Sequence, residues 1–68
     1  MNTQEIKQAV KEGKRVYLKN NNYQIKMHRY NNGGEQWLIT CLTNNHSIGL
    51  TWQDEVTLNG KEEDFYID

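Results

Sequence analysis

The 68-residue chain contains no proline, a single cysteine and no long apolar run. A membrane-spanning helix needs about 20 mostly apolar residues, so the sequence predicts no membrane segment. Cys41 has no second cysteine with which to form an internal disulfide. The chain does not open with a charged and then apolar leader, so we expect no signal peptide and a cytoplasmic location. Without proline, glycine and asparagine are expected to make the turns.

Hydrophobic residues make up 35% of the chain, which is a low share for a globular protein. A chain of this length forms one domain with a small core, here predicted to span residues 1–68. A small domain gains stability by sharing surface with a second copy, so a homo-oligomer is expected.

The formal net charge of -1 conceals an uneven distribution along the chain. Residues 1–34 hold seven of the eight basic side chains, whereas residues 35–68 hold seven of the nine acidic ones. The two halves can cancel as neighbouring strands, lie on opposite faces through which copies associate, or form a docking surface for a charged partner. The balanced total argues against a general nucleic-acid binder, which relies on an excess of basic residues.

The spacing of apolar residues predicts one helix followed by strands. Ile6 opens an apolar stripe at helical spacing, and Gly13 can end the helix. Asn2 or Thr3 can cap its start. Alternation of apolar and polar residues predicts the strands, with a turn at Asn20–Asn22. The predicted elements are a helix at about residues 2–12 and strands at about residues 14–19, 23–30, 36–42, 47–52 and 63–67.

These elements predict an α+β fold in which a short N-terminal helix precedes a four- to five-stranded antiparallel sheet. The Asn32–Gly33 dipeptide is a strong hairpin signal between two of the strands. The sheet is expected to be curled or closed into a small SH3-like barrel, with the helix across one opening. A flat meander with the helix on one face is the alternative.

Tyrosines and basic residues share the polar faces of the first two predicted strands. If these strands pair, the residues form one patch, which suits a protein interface or the binding of single-stranded nucleic acid. A solvated sheet face, on which tyrosine is simply a good strand former, is the third interpretation. Together with two more aromatic residues, the candidate binding residues are Arg15, Tyr17, Lys19, Lys26, His28, Tyr30, Trp52 and Tyr66.

The two tryptophans are large for so small a core. We expect one of Trp37 and Trp52 to fill the core and the other to be half exposed, because two indoles are hard to bury in 68 residues. An exposed indole beside Tyr66 would mark an interface.

Residues that carry metal or nucleophilic chemistry are few and poorly spaced. His28, Cys41 and His46 lack the close spacing of zinc ligands, so no metal site is predicted. Ser47 follows His46 directly, and adjacent residues of a strand point to opposite faces, which separates a nucleophile from its base.

Acidic and glycine-containing turns complete the list of chemical candidates. Asp54, Glu55 and the acidic residues 62–64 lie in polar turns, where pKa values are expected to stay ordinary. Gly33–Gly34 and Gly13–Lys14 are not followed by a helix, so neither pair predicts a phosphate-binding loop. We therefore predict neither an enzyme nor a cofactor.

Both ends of the chain resemble known groups of proteins. The stretch from Cys41 to Ile67, CLTNNHSIGLTWQDEVTLNGKEEDFYI, looks like the ends of small uncharacterised proteins encoded by tailed phages and prophages. The opening from Ile6 to Val16, IKQAVKEGKRV, adds to this likeness and also resembles the start of phage anti-Thoeris sponge proteins, which sequester a nucleotide signal. The rest of the chain departs from the sponge proteins, so no binding residue is assigned from them.

The resemblance implies a phage- or prophage-encoded accessory protein in the cytoplasm of a host cell. With the composition, it leads us to expect a non-enzymatic binding module that inhibits a host protein, in particular a defence protein. A single-stranded nucleic-acid binder using Tyr17, Lys19, Lys26, His28 and Tyr30 is the alternative, followed by a small-ligand sponge. No membrane partner is expected.

Overall fold

The chain folds into a helix followed by an antiparallel sheet, in a computed structural model that describes residues 1–54 and 56–68. The helix and strands of these described ranges are α1 Thr3–Lys11, β1 Val16–Leu18, β2 Asn20–Arg29, β3 Glu35–Cys41, β4 Ser47–Gly49 and β5 Phe65–Ile67. A short 3-10 turn, Glu62–Asp64, leads into β5. The predicted α+β class and the antiparallel sheet are confirmed.

The sheet is open rather than closed into a barrel. Its strand order is β4-β3-β2-β1-β5, and every neighbouring pair is antiparallel. β5 pairs with the outer edge of β1, whereas β4 lies at the opposite edge beside β3. The SH3-like barrel named among the predicted forms is therefore wrong, because the two edge strands lie at opposite ends of the sheet and do not meet.

Helix α1 begins at a complete capping box. The Asn2 Oδ1 atom accepts a hydrogen bond from the Glu5 amide at 2.8 Å, and the Glu5 carboxylate accepts one from the Asn2 amide at 2.9 Å. Gly13, two residues after the last residue of α1, stops the helix. Its φ is 87°, and its amide donates a hydrogen bond to the Val10 carbonyl, which forms a left-handed cap. Among the described residues, no helix is long and apolar enough to cross a membrane.

Replacing Asn2 with alanine is expected to lower the free energy of unfolding by about 1 kcal/mol, because the Glu5 amide at the start of α1 loses its acceptor, the Asn2 Oδ1 atom. Urea unfolding followed by circular dichroism measures this loss. Gln4→Ala, at an exposed position in the same turn, is the matched control and should leave the midpoint nearly unchanged. Equal effects of the two substitutions would show that the capping box contributes nothing.

One face of the sheet and the apolar stripe of α1 form the core. Ile6, Val16 and Leu50 are fully buried. Leu50 follows β4 and is fixed by the bond from its amide to the Trp37 carbonyl at 3.0 Å. The buried cluster consists of Ile6, Ala9, Val16, Leu18, Ile25, Ile39, Leu50 and Phe65, with Met1, Val10, Trp37 and Leu58 packed against it.

The predicted turn at Asn20–Asn22 is wrong. These residues begin β2, and the chain instead reverses at Lys19, whose φ of 67° lies in the left-handed region. The register shifts at this point, since Tyr17 pairs with Gln24 but Leu18 pairs with Asn20. β2 extends to these asparagines because β3 and its following turn offer partners, such as the Leu42 amide that donates to the Asn22 carbonyl at 2.7 Å.

Candidate functional site

The sheet face opposite α1 is the candidate functional surface, here called the open sheet face. The core residues Val16 and Ile25 point towards α1, so their neighbours Tyr17 and Lys26 point away from it. The helix and Leu50 both belong to the core on the other side. By register, the open sheet face contains Tyr17, Gln24, Lys26, His28, Gln36, Leu38, Thr40, Ser47 and Tyr66.

A pair of tyrosines lies at the β1–β5 side of the open sheet face. Tyr17 and Tyr66 are directly opposite each other, with ring centroids 5.8 Å apart and planes tilted by 32°. Tyr17 is only 7% exposed, whereas Tyr66 is 37% exposed. The contact stabilises the pairing of β5 with β1 and leaves the Tyr66 ring accessible to a partner.

A row of uncharged polar side chains continues from the tyrosines across the sheet. Gln24 pairs with Tyr17 on one side and with Thr40 on the other, and Thr40 pairs with Ser47. The Thr40 and Ser47 hydroxyls are hydrogen-bonded at 2.9 Å, which satisfies the buried Thr40. The row offers hydroxyl and amide groups that both donate and accept hydrogen bonds.

Lys26 gives the centre of the open sheet face its positive charge. It is exposed and lies opposite Leu38. Arg15 and Lys19, near the β5 edge, each lie beside an acidic residue through a backbone hydrogen bond. The Asp68 amide donates to the Arg15 carbonyl, and the Lys19 amide donates to the Asp64 carbonyl. The ion pairs within residues 1–54 and 56–68 do not involve Lys26.

The uneven charge along the sequence is partly cancelled at one place in the fold. Glu35, from the acidic half, is bound by Arg29 at 3.2 Å and by Lys11 at 3.5 Å. Partial desolvation raises the pKa of the Glu35 carboxyl, but the Lys11 charge and the Arg29 hydrogen bond outweigh it, so the pKa lies below its ordinary value. Local pairing of the two halves therefore occurs on the helix side of the sheet.

The candidate binding residues fall into two places rather than one. Tyr17, Lys26, His28 and Tyr66 share the open sheet face. Tyr30 follows β2 and contacts His28 edge-on, with ring centroids 5.6 Å apart. The basic candidates Arg15 and Lys19 flank β1, Arg15 just before the strand and Lys19 in the bend after it. Trp52 lies elsewhere, in a cleft with Trp37 and Lys7.

The two indoles have different environments. Trp37 packs against the core, and the Lys7 amine lies 5.6 Å from its ring centroid. Trp52 is 64% exposed. The hypothesis of an exposed indole beside Tyr66 is wrong, because Tyr66 pairs with Tyr17 on β1 whereas Trp52 follows β4 at the other edge of the sheet.

The histidines and the cysteine lie in separate places. His28 is on the open sheet face, and His46 lies in the turn before β4. The Cys41 Sγ atom accepts a hydrogen bond from the side-chain amide of Asn22 at 3.4 Å. Within the described ranges, no group of three or more histidine, cysteine or acidic side chains is placed to hold a metal ion.

Asp54 departs from the expectation of ordinary carboxylates. Its pKa lies below the usual value because the Thr57 hydroxyl donates to it at 2.6 Å and the Val56 and Thr57 amides donate as well. The carboxylate thereby closes the turn between Trp52 and Thr57. The Trp52 amide donates a hydrogen bond to the Thr57 carbonyl across this turn at 2.9 Å. The neighbouring candidate, Glu55, lies outside the described residues.

Protonation of Asp54 is expected to loosen this turn at acid pH. Because the folded pKa is depressed, the stabilisation is complete above the unfolded pKa and is lost as the pH falls through the folded pKa. The Thr57 amide resonance, followed by NMR against pH, should titrate below the ordinary aspartate range. Thr57→Val removes the hydroxyl donor and should raise the midpoint. A wild-type midpoint at or above the ordinary range would contradict the hydrogen-bonding scheme.

Sequence reasoning missed the polar row of the open sheet face. Residues 37, 38, 39, 41 and 42 of the third predicted strand are all apolar, so they fall on both faces and Thr40 does not stand out in the sequence. The sequence does indicate the polar row, because Gln36, Leu38 and Thr40 alternate with the apolar Trp37 and Ile39. This alternation can be interpreted only once the pairing with β2 assigns each residue to a face of the sheet.

No protein-family model matches the chain, and no curated protein and no solved structure is significantly similar to it.

Proposed function

We propose that the protein is a non-enzymatic binding module that engages another protein through the open sheet face. The observation that carries this proposal is the Tyr17–Tyr66 pair beside the exposed Lys26, on a face to which α1 contributes nothing. Tyrosines supply large contact area at low entropic cost, and a central cation selects for an acidic partner. The polar row from Gln24 to Ser47 adds hydrogen-bonding groups across the same surface.

The partner that we propose is a host protein with an acidic surface, which the module inhibits by covering it. The choice of a host protein rests on the resemblance of the chain to phage and prophage accessory proteins. A defence protein is the target class that this resemblance favours. Self-association is a separate property, expected from the small core, and light scattering of the purified protein tests it.

Charge reversal on the open sheet face tests the proposal. Tagged wild-type protein, Lys26→Glu and Lys14→Glu are used to capture proteins from host lysate, and the captured proteins are identified. Lys14 is an exposed lysine after α1 that pairs with Glu12, so its reversal is the matched control. We expect a specific protein that wild type and Lys14→Glu retain and that Lys26→Glu loses.

A protein retained equally by all three variants would contradict a role for the open sheet face. So would a protein lost with Lys14→Glu but retained by Lys26→Glu. Circular dichroism of each variant verifies that the sheet is intact, because both substitutions are at exposed positions.

Binding of single-stranded nucleic acid is the second candidate. The exposed rings of Tyr30 and Tyr66 and the exposed Lys26 favour it, since aromatic rings stack on bases and cations bind phosphates. The Tyr17 ring is buried against Tyr66 and offers no face for base stacking, which argues against this candidate. Affinity for an oligonucleotide that fell by orders of magnitude between about 50 and 200 mM salt would reverse this order.

A further inference from the structure

A cleft with two indoles lies at the end of the sheet where β3 begins, away from the open sheet face. Its volume of about 570 Å³ falls within the range of small-molecule sites. The side chains that matter for recognition are Lys7 from α1, Glu35 and Trp37 from β3, and Thr51, Trp52 and Gln53 from the segment after β4.

The exposed indole of Trp52 is held in place by its backbone. The Trp52 amide donates to the Thr57 carbonyl at 2.9 Å, and Thr51 pairs with Leu58. Leu50, two residues earlier, is anchored in the core and bonded to Trp37. A short hairpin therefore presents a ring that is 64% exposed beside the cleft, which is costly for so large an apolar group unless it has a ligand.

The charged side chains of the cleft are already engaged with other groups. The Lys7 amine lies over the Trp37 ring at 5.6 Å, which is cation–π geometry. The Glu35 carboxylate is held by Arg29 and Lys11. A cationic ligand would find Glu35 already paired with two basic side chains and the Trp37 ring already covered by Lys7. An anionic ligand could pair with Lys7 only by drawing its amine away from the Trp37 indole.

The remaining polar groups suit a neutral ligand rich in hydroxyls. Gln53 has an exposed amide that donates and accepts hydrogen bonds, and Thr51 adds a hydroxyl. A sugar ring has an apolar C–H face and a rim of hydroxyls that also donate and accept. An open, polar cleft beside one accessible indole face matches both properties.

We propose that this cleft binds a neutral saccharide, with one sugar ring stacked on Trp52 and its hydroxyls bonded to Thr51 and Gln53. Trp37, covered by Lys7, forms the wall of the site. The proposal is independent of the protein-binding role of the open sheet face, because Thr51, Trp52 and Gln53 are not among the residues of that face.

A titration of the 15N-labelled protein tests the proposal, with maltotetraose, cellotetraose and chitotetraose as probes at up to millimolar concentration. At least one probe should shift the Trp52 indole N–H signal and the Gln53 side-chain signals. Trp52→Ala should weaken this binding by about tenfold or more. Gln53→Ala, which keeps the indole, should weaken it by a smaller factor.

Tyr30→Ala is the matched control, since it removes another exposed aromatic ring outside the cleft. It should leave saccharide affinity unchanged. The proposal is overturned if none of the three probes shifts the cleft signals, if binding survives Trp52→Ala, or if the shifted signals belong to the open sheet face.

Discussion

Replacing Ile6 with alanine is expected to lower the free energy of unfolding by about 3 kcal/mol. Ile6 is fully buried between α1 and the sheet, and alanine leaves a cavity that Val16 and Leu50, themselves fully buried, cannot fill without shifting. Alanine is the better helix former, so the loss measures packing and not helix propensity. A domain of this size has a total stability of roughly 3–10 kcal/mol, so much of it would disappear.

Urea unfolding followed by circular dichroism measures the effect, with Ile48→Ala as the matched control. Ile48 lies on the edge strand β4 and is 46% exposed. Its truncation should cost less than about 1 kcal/mol. Equal losses from the two isoleucines would contradict the packing of α1 on this face of the sheet.

Replacing Gly60 with alanine is expected to cost about 2 kcal/mol, because its backbone conformation opposes a side chain. The φ of Gly60 is 159°, in a region that residues with a Cβ rarely adopt. An added Cβ would make ordinary van der Waals contacts, 3.4 Å from the Phe65 ring and 3.5 Å from Leu18, so the expected loss comes from the backbone conformation.

Gly33→Ala provides a comparison at a second glycine with positive φ. Gly33 also has a positive φ, 88°, but an added Cβ would meet no atom within 4 Å. Its replacement should cost about 1 kcal/mol or less, from backbone strain alone. Thermal unfolding compares the two variants. A larger loss at Gly33 than at Gly60 would contradict the backbone conformation of Gly60.

The helix and the faces of the strands could be predicted from the sequence because both depend on local spacing. The Asn2 capping box, the Gly13 end of α1 and the alternation around Ile25 are all encoded within a few residues of each other. Such local signals were sufficient to assign the α+β class.

The strand order could not be predicted in the same way. β5 comes last in the sequence but pairs with β1, and this pairing depends on contacts between residues about 50 positions apart, such as Leu18 with Phe65. The turn at Lys19 was also missed, because lysine is an unusual residue in a left-handed conformation. Asparagine was the more plausible turn former on composition alone.

The candidate site was partly predictable for the same reason. Tyr17, Lys26 and His28 fall on one face as soon as β1 and β2 pair, and strand alternation suffices to see it. Tyr66 joins them only through the non-local β1–β5 pairing. Trp52 separates from them because the chain after β4 turns towards α1, where the Thr3 hydroxyl donates to the Val56 carbonyl at 2.6 Å.

Photo-crosslinking inside the host cell tests the central claim most directly. A benzophenone residue is placed at Lys26 on the open sheet face or, as a control, at the exposed Gln8 on the opposite side of the molecule. We predict a covalent product with a different, host-encoded protein from position 26 and none with that protein from position 8. The account is contradicted if position 26 yields no product or only a second copy of this chain, or if the host protein is captured from position 8 alone.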